Sequence, residues 1–138
     1  MMQYGYSQIV DLSYEEALDR IEQELGERGF GILTEIDVQE TLKKKLDKDM
    51  NQYKILGACN PPFAHQALES EREVGLLLPC NVIVYVNDEN ETVISSVNAE
   101  AMLSVIGDSP ELQEIAGEVN SMLQEAVDAV AKNASVKA

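Results

Sequence analysis

The chain has 138 residues, 45% of them hydrophobic, with 25 acidic against 10 basic side chains and a formal net charge of −15. That length suits one domain built on one core, which buries about 68% of the surface of the unfolded chain. The acidic excess repels phosphate backbones and anionic bilayers, which are held through Lys and Arg, so neither nucleic acid nor a membrane is expected as a partner. The longest apolar run, Val82 to Val86, falls far short of the roughly 20 residues that span a bilayer. Met1 to Val10 has no basic segment and is broken by Gln3, Gly5, Ser7 and Gln8, so we expect no signal peptide and a cytoplasmic location.

Met2 to Val10 reads as a strand, with Met2, Tyr4 and Tyr6 alternating against Gln3, Gly5 and Ser7. A helix follows: Ser13 and Glu16 form a capping box, Leu18, Ile21 and Leu25 share one side, and Gly29 supplies a stop. Gly31 to Ile36 is a second strand. Asp37 and Glu40 box a short helix carrying Val38, Leu42 and Leu46, and Gln52 to Ala58 is a third strand. Asn60-Pro61 has the form of a helix start, with asparagine as the cap and proline at the first helical position, and that helix is expected to reach about Arg72. Asn81 to Val86 and Thr92 to Val97 form a hairpin across Asn87-Asp88-Glu89-Asn90. Ser109-Pro110 opens a long amphipathic helix with Leu112, Ile115, Val119, Met122 and Ala126 on its apolar side. The interleaved helices and the tight hairpin predict an α+β class, a mainly antiparallel sheet with helices on one face, spanning 1–131, with 132–138 as a flexible tail.

Three segments, Gly29-Phe30-Gly31-Ile32-Leu33-Thr34-Glu35-Ile36-Asp37-Val38, Tyr53-Lys54-Ile55-Leu56-Gly57-Ala58-Cys59-Asn60-Pro61 and Gly75-Leu76-Leu77-Leu78-Pro79-Cys80-Asn81-Val82, resemble in order and spacing the bacterial and archaeal domain of unknown function 302 family. The resemblance covers nearly the whole chain. It implies a TATA-binding-protein-like α+β domain, usually a homodimer, and no established activity. It also implies an Asp-Pro pair after the last strand, where this chain has Asn98-Ala99.

Chemistry concentrates in two segments that carry both cysteines, Gly57-Ala58-Cys59-Asn60-Pro61 and Leu78-Pro79-Cys80-Asn81. Reduced thiols are expected, because two cysteines in a domain of this size are not a disulfide framework. A bridge between them would close a loop of about 20 residues and contribute about 3 kcal/mol where geometry allowed it. Cys59 precedes a helix N-terminus, where the dipole favours a thiolate, although free cysteine commonly packs as a small hydrophobe. Cys80 opens an apolar strand, which favours packing. His65 lies four residues before Glu69 on one helix face; with Cys59 or Cys80 it offers the sulfur, nitrogen and oxygen donors that zinc or another divalent metal accepts. A cysteine nucleophile with His65 as base is chemically sensible but lacks a third member. Asn60 and Asn81 serve either as caps and turn closures or as ligand contacts. Lys43, Lys44, Lys45 and Lys48 form a basic cluster that reads as a solvated face. The leading expectation is a homodimeric binding or accessory domain whose cleft, lined by Cys59, Asn60, His65, Cys80 and Asn81, takes a small molecule or a metal. The alternatives are a thiol-dependent enzyme or redox protein using Cys59 or Cys80, and a purely structural interaction domain.

Overall fold

The computed structural model describes the backbone of residues 4–137 and the side chains of 4–133. Strand β1 (Gly5–Val10) leads into helix α1 (Tyr14–Glu27). Both halves of the expected capping box form: Ser13 Oγ accepts from the Glu16 amide at 3.1 Å while the Glu16 carboxylate accepts from the Ser13 amide. Such a cap is worth about 1 kcal/mol. Ala17, Leu18, Ile21 and Leu25 form its buried stripe. The helix stops because Gly29 takes a left-handed φ of +88°, which lets the Phe30 amide donate to Leu25 O and the Gly29 amide to Gly26 O. These two bonds close the last turn, and buried Phe30 and Leu25 supply its apolar clasp.

Strand β2 (Gly31–Asp37) ends where Asp37 becomes the cap of α2 (Val38–Leu46), its Oδ1 accepting from the Glu40 amide at 2.9 Å. That expected helix forms but buries none of its residues, and Leu46 stays exposed. Strand β3 (Tyr53–Cys59) precedes α3 (Pro61–Ser70), which is shorter than the spacing predicts because the chain tightens into a 3₁₀ turn at Arg72–Leu77. Strands β4 (Cys80–Val86) and β5 (Thr92–Val97) make the hairpin, whose turn is held by Asn87 Oδ1 accepting from the Glu89 and Glu91 amides. A helix that the sequence reading omits, α4 (Ala99–Leu103), follows, capped by Asn98 Oδ1 accepting from the Ala101 amide at 3.1 Å; α5 (Pro110–Lys137) completes the described chain. Asn98 thus starts a helix where the resemblance implies Asp-Pro.

The strand order is β1-β5-β4-β3-β2, every neighbouring pair antiparallel, so the α+β class with an antiparallel sheet holds. Register decides what faces the helices. Leu56 opposes Val82, Ala58 opposes Cys80, and Val84 opposes Ile94; these side chains meet Ile21 and Leu25 of α1 and Leu123, Val127 and Val130 of α5 in one core. Helices α3 and α4 pack on α5 rather than across the sheet centre. On the opposite face Tyr53 and Tyr85 stack with ring centroids 5.3 Å apart, and Ile9 is 57% exposed. Tyr6 packs partly against the core, whereas Tyr4 precedes β1 and is exposed; Met2 lies outside the described residues.

Candidate functional site

At one end of the sheet, where β3 runs out and β4 begins, a cavity of about 280 Å³ opens between sheet and helices. The paired residues Ala58 and Cys80 lie at the strand end, α3 contributes Phe63, Ala64, Ala67 and Leu68, and α4 with α5 contributes Met102, Leu103, Ile115 and Val119. Leu33, the extra residue of a register shift in β2, and Leu68 stand exposed at its rim. The volume exists because small side chains, Ala58, Ala64, Ala67 and Ala99, occupy positions where a close-packed interior would place larger ones.

The lining is almost wholly apolar. Asn60 is its one amide side chain, and no charged residue contributes to it among the described residues. Asn60 is buried at 7% exposure yet does not cap α3 as expected. Its Nδ2 instead donates to the backbone carbonyl of Arg28 at 3.2 Å, tying the start of α3 to the end of α1. A Cβ at Gly29 would stand 3.3 Å from Asn60 Nδ2, so the amide would have to give by a few tenths of an ångström to keep this bond. Cys59 is half-buried and Cys80 buried, and both are free thiols on the cavity wall. Burial, with the nearby charge of an ionised Cys59 adding to it, pushes the Cys80 thiol up to about 11, so it is neutral at physiological pH. Pro61 and Pro62 carry no amide hydrogen, so the first two positions of α3 offer no donors to a thiolate or another anion.

The structure brings Cys59, Asn60 and Cys80 to this cavity and leaves His65 and Asn81 off its lining. His65 sits on the outward side of α3 with 74% of its side chain exposed, its Nδ1 3.8 Å from Glu69. Asn81 is exposed and borders a separate depression on the opposite sheet face, with Tyr53, Ile83 and Tyr85. No group of three or more His, Cys, Asp or Glu side chains able to hold a metal occurs among the described residues, so His65 and Glu69 are not joined by Cys59 or Cys80. The Lys43 ammonium is occupied by Asp47 at 3.0 Å and Asp49 at 3.1 Å, and Lys44 lies 3.7 Å from Glu40. No helix among the described residues is long and apolar enough to cross a membrane.

The sequence model of the family described as domain of unknown function DUF302 matches residues 6–130. The chain belongs to the DUF302 family. Among solved structures, the crystal structure of the uncharacterized conserved protein DUF302 from Bacillus stearothermophilus is similar to it, with 29% sequence identity, a TM-score of 0.87, and coverage of 94% of this chain and 99% of that one. No curated protein matches the chain. The matched span of this DUF302 domain includes every residue that lines the cavity. Sequence reasoning missed Phe30, Phe63, Met102 and Leu103. For α3 the signal was present: Phe63, Ala64, Ala67 and Leu68 mark an inward stripe, which turns His65 and Glu69 outward.

Proposed function

We propose that this DUF302 domain binds a small, neutral, largely apolar molecule in the cavity between the β3–β4 end of the sheet and helices α3, α4 and α5. The observation that carries the reading is a lining without charge, kept open by alanines in a domain whose surface is strongly acidic. An engineered cavity of about 150 Å³ holds benzene, so this volume suits a ligand of roughly ten to twelve heavy atoms. Cys80, held neutral, supports a role for the thiols as soft apolar wall, which favours binding over thiol chemistry. Calorimetric titration with naphthalene tests the reading: saturable binding is expected, with loss of binding in Ala64→Leu, which fills the cavity from a half-buried position. Absence of binding, or binding unchanged by the filled cavity, would sink it.

The same reading includes a homodimer, supported by the apolar character of the sheet face that carries the Tyr53–Tyr85 stack, Ile9 and Ile83. Ile9→Lys should shift sedimentation toward the monomer. A monomeric unsubstituted protein at high micromolar concentration would contradict the dimer.

A further inference from the structure

A buried side-chain amide at the edge of an apolar cavity can recognise a ligand only through the polar atom it does not use itself. Asn60 uses Nδ2: its donation to Arg28 O at 3.2 Å fixes which way the amide is turned, since a carbonyl partner requires nitrogen at that end. Oδ1 accepts no hydrogen bond from the described residues and does not cap α3. The residue lines the cavity and is more than nine-tenths buried. From this geometry we infer that the ligand is an apolar body carrying one neutral donor, a hydroxyl or N–H group, which is received by Asn60 Oδ1; the inference rests on the binding reading above.

The rest of the wall narrows the class. A carboxylate or phosphate would meet no Lys, Arg or His on the lining, and Pro61 and Pro62 withhold the amides that a helix start usually offers to anions. A ligand without a donor would bury the Oδ1 acceptor unpaired, which costs more than one net hydrogen bond returns. The structure therefore assigns preference to alcohols, phenols and neutral amines of cavity size over hydrocarbons and fatty acids.

A matched pair tests it. The compounds α-naphthol and α-methylnaphthalene have nearly the same shape, and hydrophobicity alone ranks the methyl compound tighter. With Oδ1 as acceptor the order reverses, and α-naphthol should bind roughly three- to tenfold tighter to the unsubstituted protein. Asn60→Leu, which removes the acceptor, should invert the preference. If Asn60→Leu does not fold, the pair measured on the unsubstituted protein decides alone. If both compounds bind and the methyl compound is equal or tighter, the donor inference falls while the cavity reading stands. If neither binds, both fall.

Discussion

Gly57 gives the sharpest test of how closely the strands meet beside the cavity. It opposes Thr34 in β2 and Asn81 in β4. A Cβ at this position would overlap Thr34 Oγ1 and come to 2.8 Å from Pro79 Cγ, and Pro79 is itself on the cavity wall. Two effects of Gly57→Ala compete. Reduced freedom of the unfolded chain favours alanine by about 0.4 to 1 kcal/mol. Overpacking opposes it by about 1 to 3 kcal/mol, and contact with two neighbours in one spot places the cost in the upper part of that range. The clash wins, for a net loss of about 2 kcal/mol. Urea denaturation followed by circular dichroism measures it as a lowered midpoint at unchanged slope. Thr34→Ala removes the hydroxyl but leaves Pro79, so the double variant should recover part of the loss, not all. Gly57→Ala as stable as the unsubstituted protein would refute the close approach.

Two further outcomes follow from the same geometry. Gly29→Ala forces a side chain into a φ of +88° and against Asn60 Nδ2, and should cost about 1 to 2 kcal/mol in chemical denaturation; a loss below about 0.5 kcal/mol would count against both constraints. The Cys80 thiol is raised from its ordinary 9.0 to about 11, chiefly by burial and then by Cys59, so the unfolded chain ionises first as pH rises. Its stabilising contribution is intact below pH 9 and falls by up to about 3 kcal/mol as pH passes 11, at about 1.4 kcal/mol per unit. Cys80→Ala should flatten the decline between pH 9 and 10. Tyr14, pushed up to about 12 by burial and by Asp37 and Glu15, extends the loss at higher pH in both proteins, and an unchanged slope in Cys80→Ala would contradict the buried neutral thiol.

Local chemistry carried most of the fold in the sequence. Ser13 with Glu16 and Asp37 with Glu40 mark helix starts through bonds between residues three apart, and such bonds need no knowledge of the rest of the molecule. Two β-rich runs joined by the short polar turn Asn87-Asp88-Glu89-Asn90 likewise made the hairpin legible. Asn60 was half legible: Pro61 gave the helix start, but the amide turned to Arg28, which is adjacent only after α1 and α3 have packed. α4 went unread because a five-residue helix shows barely more than one turn of periodicity, although Asn98 already announced its cap. Reading both Cys-Asn pairs as one site failed for Asn81 because successive strand residues point to opposite faces: Cys80 faces the core and Asn81 therefore does not. The cavity itself is an absence of volume among residues from β2, β3, β4, α3, α4 and α5, and no single segment encodes it.

We propose that a ligand sits in the cavity bounded by Ala58, Asn60, Phe63, Met102 and Ile115. Titration of isotope-labelled protein with α-naphthol, followed by amide and methyl resonances, tests it most directly. Saturable shifts concentrated at these residues, with His65 and Lys43 unmoved, are the predicted result. Shifts confined to the opposite sheet face around Tyr53 and Tyr85, or no saturable shift at all, would contradict it.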